Sequence, residues 1–316
     1  MSAPAPIRAP ALHTERFAPS PNGRLHLGHA YSAILAHDAA RAAGGRFLLR
    51  IEDIDRARAR PEHEAAIFRD LAWLGLAWDG PVMRQSARGP AYAAALAALG
   101  ARGLLYPCSC TRRDIAEALD APQEGGAPAP GQARTGVPGP DGFAYPGTCR
   151  PATPAPSDGV PPEGAALRLN MRAAVAALGG AAAVGALGWE ELGEGPEGQA
   201  GPQRLSPEAL VERVGDVVIA RKDCGTSYHL SVTVDDAAQG VTHVTRGRDL
   251  FHATQVHVLL EALLGLPSPA RRHHRLIRDD GGKRLAKRDR AQGIEELRAE
   301  GATPQDIRRM VGLPLE

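Results

Sequence analysis

Apolar positions along the chain alternate between short continuous runs and runs spaced three to four residues apart. Thr14 to Ala18 reads as a strand, followed by the turn residues Pro19-Ser20-Pro21-Asn22-Gly23. A helix starts near His26 and runs to about Ala43, where Gly44-Gly45 stops it. Phe47-Leu48-Leu49-Arg50-Ile51 has the composition of a buried strand. Pro61 to Leu74 is helical with proline in its first turn, and Pro90 to Leu99 forms a further helix ended by Gly100. Strand, helix, strand, helix in this order predicts an α/β fold, with a parallel sheet and crossover helices.

The periodicity fails between Ala121 and Gly142, a stretch of Gly, Pro and Ala that reads as a flexible surface insertion. Pro151 to Gly164 and Gly193 to Gly201 have the same character. Alternation resumes at Asp216 to Ala220, Val241 to Thr245 and His273 to Ile277, with a helix over His252 to Leu264. A last helix is expected around Thr303 to Val311, with Thr303 as its cap and Pro304 in first position. The expected organisation is a doubly wound domain split by an insert. Residues 1–107 and 210–290 form its halves, 108–209 the inserted subdomain, and 291–316 a short helical tail.

Charge narrows the partners. Lys and Arg number 37 against 36 Asp and Glu, so no global field attracts a polyanion and any nucleic-acid contact rests on a local basic patch. Arg112-Arg113, Arg271-Arg272 and Arg308-Arg309 are the candidates, though such a pair is more often a solvated surface pair. Four cysteines, two of them in Cys108-Ser109-Cys110, do not suit a secreted disulfide scaffold. Met1 to Glu15 holds no signal-type apolar run, and no stretch of about 18 apolar residues occurs. A soluble, cytoplasmic protein with no membrane partner is expected.

Three clusters carry candidate chemistry. In His26-Leu27-Gly28-His29 two imidazoles three residues apart share one face of a first helical turn. Unpaired backbone N–H groups and the positive dipole end make that turn an anion site, and Gly28 leaves room for a flat ring. Lys283-Arg284-Leu285-Ala286-Lys287-Arg288, after Asp279-Asp280-Gly281-Gly282, places four cations in six positions on a glycine-rich turn, as a polyphosphate clamp would. Cys108, Cys110 and Cys149 offer three thiolates to a tetrahedral zinc, with three reduced buried thiols as the plainer alternative. Cys224 has no partner spacing.

The first two clusters, taken with Arg16 to Gly23, Leu49 to Asp55, Tyr228 to Asp236 and Val241 to Gly247, occur in the order and spacing of one family. The chain resembles the class I aminoacyl-tRNA synthetases, and the glutamyl-tRNA synthetase catalytic core in particular. That resemblance implies a Rossmann-type nucleotide-binding fold whose parallel sheet is split by an acceptor-binding-like subdomain. It places Arg16, Phe17, Ala18, Pro19, Ser20, Glu52, Tyr228 and Arg246 around L-glutamate. It places His26, Gly28, His29 and Lys287 against ATP, which brings Mg2+, and it adds Tyr145 to the three cysteines as fourth ligand of a structural zinc. The catalytic residues it implies are His26, His29 and Lys287. The basic loop departs from the pattern, with Arg284 in place of the first lysine and Ala286 in place of a serine.

Only 28 residues follow Arg288, so no anticodon-binding domain is expected. In this the chain resembles the truncated glutamyl-Q tRNA(Asp) synthetases. The resemblance implies tRNA-independent activation of glutamate and its transfer to the queuosine wobble nucleoside of tRNA(Asp), by a monomer. A minimal glutamyl-tRNA synthetase that charges a tRNA 3′ end is the alternative enzyme. A non-catalytic glutamate or tRNA binder is the alternative of another class.

Overall fold

The computed structural model describes residues 12–120, 138–139, 142–277 and 292–315. The first half runs through β1 (Thr14–Phe17), α1 (Leu27–Ala42), β2 (Arg46–Ile51), α2 (Pro61–Trp73), β3 (Met83–Arg84) and α3 (Gly89–Ala101). β1, β2 and β3 are parallel neighbours, with Thr14 opposite Arg46 and Ile51 opposite Arg84. This is the predicted alternation: the boundaries of β1, α1, β2, α2 and α3 fall within two residues of those read from the apolar pattern, while β3 has no counterpart in that reading.

The middle of the chain holds β4 (Leu105–Cys108), α4 (Arg112–Asp120), β5 (Pro138–Gly139), β6 (Gly142–Phe143) and β7 (Ala166–Leu169). α5 (Met171–Ala177), α6 (Ala181–Ala186), β8 (Gly188–Glu191), β9 (Gly201–Arg204), α7 (Pro207–Ala209) and β10 (Val218–Ala220) follow. β7 lies between β4 and β10 in a small antiparallel sheet. The stretch 121–137 lies outside the described residues. Pro151 to Gly164 lacks regular structure and is mostly exposed, but it is anchored on α3 around Gly159. Ser157 N donates to the Gly100 carbonyl at 2.9 Å, and a Cβ on Gly159 (φ 75°) would stand 2.4 Å from the Leu96 carbonyl. Glycine there lets the segment lie directly on α3.

The second half contributes α8 (Tyr228–Ala238), β11 (His243–Gly247), α9 (Thr254–Leu264), β12 (Ala270–His274), α10 (Ile294–Ala299) and α11 (Pro304–Met310). β11 and β12 are parallel, and β8 from the middle of the chain joins β12 through Arg271 and Glu191. The halves meet where Thr242 N donates to the Thr14 carbonyl at 3.0 Å and Thr14 N donates to Thr242 Oγ1 at 2.8 Å. β1 and β11 are therefore the central neighbours. Strand order reverses between them, which opens a crevice at their carboxyl ends.

Two apolar cores flank the sheet. One joins α1 and β2 to the tail: Ala33, Ile34, Phe47 and Leu49 pack with Ile294, Leu297 and Ile307. The tail is thus docked, and Arg308 pairs with Asp38 of α1 at 2.8 Å. Thr303 caps α11 and Pro304 opens it, as expected from the sequence. The other core gathers Leu96, Leu99, Leu169, Leu230, Leu259 and Leu260 from α3, β7, α8 and α9. Among the described residues no helix is long and apolar enough to cross a membrane.

Candidate active site

A cleft of about 420 Å³ opens at the carboxyl ends of β1 and β11. It is lined by Arg16, Phe17, Ala18, Pro19, Ser20, His26, Gly28, His29, Glu52, Tyr228 and Arg246. These are all the residues assigned above to glutamate and ATP except Lys287, which lies with its loop outside the described residues. Asn22, Ser32, Asp249 and His274 also line the cleft, and no motif had marked them as site residues.

Part of the cleft wall is built on the start of α1. His26 is its N-cap, and its Nδ1 accepts from Gly28 N at 3.1 Å. His26 N in turn donates to His29 Nδ1 at 3.2 Å. A backbone N–H can only donate, so both Nδ1 atoms are unprotonated and each neutral ring carries its proton on Nε2 as a donor. Gly28 has a local reason. A Cβ there would stand 3.0 Å from His26 Cε1, so the flat ring it accommodates is first of all the cap's own imidazole.

Another part of the wall is an ion network. Arg16 Nε lies 3.0 Å from Asp236 Oδ1, and Arg50 Nη1 reaches the same oxygen at 2.6 Å. Arg50 is fully buried and also donates to Gln239 Oε1 at 2.9 Å and to Glu52 Oε1 at 3.3 Å. Burial opposes charge on Asp236, yet the two guanidiniums hold its carboxyl at about 2. Burial raises the pKa of Glu52 above the usual range, against the pull of Arg50 and Arg16. Besides Asp236, Arg16 donates only to the Thr245 carbonyl among the described residues, at 3.4 Å. Its second terminal nitrogen keeps both hydrogens for a ligand. Tyr228 opens α8 behind the Ser227 cap, and burial raises the pKa of its hydroxyl. Arg246 comes from β11 and is held among His257, His273 and Thr254.

Glu52 lines the cleft as expected, but the tether that sets it was not legible in the sequence. Arg50 reads from sequence as an ordinary strand cation, and Asp236 as one acid in a helix. Two basic pairs also change meaning. Arg271 is 2% exposed and paired with Glu261, and Arg308 is buried against Asp38, so neither is placed to contact a nucleic acid.

The cysteine cluster forms away from the cleft. The Sγ atoms of Cys108, Cys110 and Cys149 lie within 4.8 Å of one another. The Tyr145 hydroxyl is 3.4 Å from both Cys108 Sγ and Cys110 Sγ. Cys110 and Cys149 are 3.4 Å apart, well beyond the ~2.05 Å of a disulfide and near the ~3.8 Å edge of a tetrahedral zinc–thiolate site. Burial pushes the Cys108 thiol up, but hydrogen bonds from Tyr145 and Arg168 outweigh it and hold it at about 7. Three soft donors and a phenol oxygen at these spacings fit a four-coordinate metal. The cluster borders a second cavity, of about 510 Å³, with Arg168 and Lys222 in its wall.

The fold and the cleft together define a class I synthetase catalytic domain. The family model described as tRNA synthetases class I (E and Q), catalytic domain, matches residues 12–133 and 205–314. The fold is that of a glutamate-tRNA synthetase from Elizabethkingia anophelis, at TM-score 0.67 and 23% identity over 93% of this chain and 60% of that one. The chain therefore spans less than two thirds of that synthetase. Two glutamyl-Q tRNA(Asp) synthetases match it nearly end to end. That of Rhodobacter capsulatus is 57% identical over 94% of this chain and 99% of its own, and that of Symbiobacterium thermophilum 42% over 92% and 83%. The chain belongs to the glutamyl-Q tRNA(Asp) synthetase family.

Proposed function

We propose that the chain activates L-glutamate with ATP, without tRNA, and transfers it to the queuosine wobble nucleoside of tRNA(Asp). The observation that carries this reading is the 57% identity to a synthetase of that name across 99% of its length. The cleft supplies the chemistry. Glu52, Arg16, Tyr228 and Arg246 would meet the ammonium and carboxylate groups of glutamate and the start of α1 the phosphates, and all of them line the one cleft.

In the first step a glutamate α-carboxylate oxygen attacks the α-phosphorus of ATP and the bond to the bridging oxygen breaks, so pyrophosphate leaves. No proton need move, so positioning and charge stabilisation carry the rate. The Nε2 donors of His26 and His29 and the α1 amides meet the phosphates, and Lys287 neutralises the leaving pyrophosphate. Mg2+ arrives with ATP and shields its phosphate charge. In the second step a queuosine hydroxyl attacks the adenylate carbonyl, the bond from that carbon to the phosphate oxygen breaks, and the hydroxyl proton passes to the departing phosphate. An ester forms and AMP leaves.

Cys108, Cys110, Cys149 and Tyr145 would hold a structural zinc remote from these steps. The chain acts as a monomer in the cytoplasm, where its cysteines stay reduced. Labelled glutamate, ATP and two tRNA(Asp) samples, with and without queuosine, test the reading. Label on the queuosine-containing sample alone is expected. Equal label on both would mean 3′-end charging instead.

A further inference from the structure

Arg246 differs from the other guanidiniums at the cleft in what holds it. Arg16 and Arg50 share the Asp236 carboxylate. Arg246 is 6% exposed, and its partners among the described residues are all neutral. Its Nε donates to His273 Nε2 at 3.1 Å and its Nη1 to His257 Nδ1 at 3.1 Å. Its Nη2 donates to Thr254 Oγ1 at 2.6 Å and to the Leu250 carbonyl at 3.3 Å.

These bonds fix the protons. A guanidinium has five N–H donors and no acceptor, so the imidazole nitrogens facing it carry none. The proton of His273 is then on Nδ1, which donates to Glu191 Oε2 at 2.6 Å. That of His257 is on Nε2, which donates to His229 Nδ1 at 3.1 Å. Both rings are neutral, and burial, ahead of the Arg246 charge, lowers the pKa of each.

Among the described residues no carboxylate reaches Arg246 directly. Glu191 stands one imidazole away, and four donors already occupy its oxygens: Gly193 N, Trp189 Nε1, and the backbone and ring N–H of His273. Asp249 lines the same cleft but is exposed, and among the described residues it makes no ion pair with Arg246. A buried cation with neutral partners alone is costly until an anion arrives. Four of the five Arg246 donors are engaged, and the fifth, on Nη1, has no partner among the described residues.

We propose that His257 and His273 are specificity-determining residues. By holding Arg246 with neutral acceptors in place of carboxylates, they leave its charge for an acidic amino acid and so favour glutamate over glutamine. The proposal deepens, and rests on, the reading of the cleft as a glutamate site.

His257→Gln and His257→Glu test it, since the two side chains match in size and differ in charge. The full chain is assayed by ATP–pyrophosphate exchange with L-glutamate and with L-glutamine, and by glutamate binding without ATP. H257Q is expected to keep the wild-type glutamate-to-glutamine ratio within roughly threefold, and H257E to lower it roughly tenfold or more, through the glutamate KM and not kcat. Equal ratios in the two variants overturn the proposal, whether both are normal or both reduced. Circular dichroism checks folding, and the pair H273Q and H273E decides the same question if either His257 variant does not fold. Failure of the unaltered chain to bind glutamate overturns the functional reading and this proposal with it.

Discussion

Arg50 and Asp236 lie 2.6 Å apart across 186 residues of sequence, and through that contact the two halves of the sheet share one buried charge. Asp236 also holds Arg16, so a single carboxylate orients one cation that lines the cleft and one that tethers Glu52. Asp236→Asn leaves two buried guanidiniums short of an anion. It is expected to cost about 3–5 kcal/mol of stability, as breaking a buried pair does, and to raise the glutamate KM. The pH dependence gives the sign. The folded-state pKa of about 2 lies below the ordinary 3.8, so this stabilisation is complete above pH 4 and is lost as pH falls towards 2. Urea midpoints of wild type and D236N should therefore differ most above pH 4 and converge below it. A gap that stays constant down to pH 2 would show that the carboxylate charge is not what Arg16 and Arg50 require.

Gly28→Ala tests whether the His26 cap sets the phosphate site. The new methyl would press on His26 Cε1 at 3.0 Å, in a helix start where φ poses no obstacle. Tilting that ring loosens its bond to the Gly28 amide and moves its Nε2 donor. A shift of about 1 Å at a positioned group costs up to roughly 100-fold in rate, so exchange kcat should fall roughly 10- to 100-fold. The glutamate KM should hold, because Arg16 lies on β1 and Glu52 just after β2, away from the His26 ring. Steady-state exchange at varied glutamate separates the two, and a KM effect without a kcat effect would move the role of Gly28 to the amino acid.

The contrast between these residues shows what the sequence made legible. α1 and β2 bury Ala33, Ile34, Phe47 and Leu49, so apolar period and burial largely coincide and the elements could be read directly. α8 and β12 bury polar groups instead: His229, Ser231, Thr233, Asp235 and Asp236 on one, Arg271 and His273 on the other. A hydropathy pattern cannot mark such positions as inward. β12 accordingly begins three residues before the strand read from the sequence, and no helix was read over α8. The cleft residues were legible through motif order, which does not depend on hydropathy. Their supports, Arg50, Asp236, His257 and His273, act through partners far off in the chain, and only the fold brings those together.

Lys287→Ala addresses the one assigned residue outside the described structure. A cation that meets pyrophosphate only as it leaves contributes to the transition state and little to the ground state. Exchange kcat should fall roughly 100- to 1,000-fold, as for loss of one charge-stabilising donor, with the thermal midpoint nearly unchanged. Calorimetry beside the exchange assay makes the comparison. A midpoint lowered in proportion to activity would show that Lys287 supports the fold.

Metal removal tests the cysteine cluster independently of the cleft. With Cys108, Cys110, Cys149 and Tyr145 as a closed donor set, purified chain should contain one zinc by elemental analysis, and Cys149→Ser should lose it. The cluster joins β4 to the Tyr145–Cys149 loop, and Arg168 of β7 stacks on the Tyr145 ring at 3.7 Å. Losing the metal should therefore loosen the small antiparallel sheet and lower the thermal midpoint, since binding free energy at a structural site is folding free energy. Glutamate-dependent exchange at low temperature should survive, because Arg16 on β1, Glu52 just after β2 and Arg246 on β11 lie outside the small antiparallel sheet. Chelation that abolishes exchange without lowering the midpoint would instead place the metal in the chemistry. A chain that binds no zinc, yet melts as before when Cys149 is replaced, would make the three cysteines plain buried thiols.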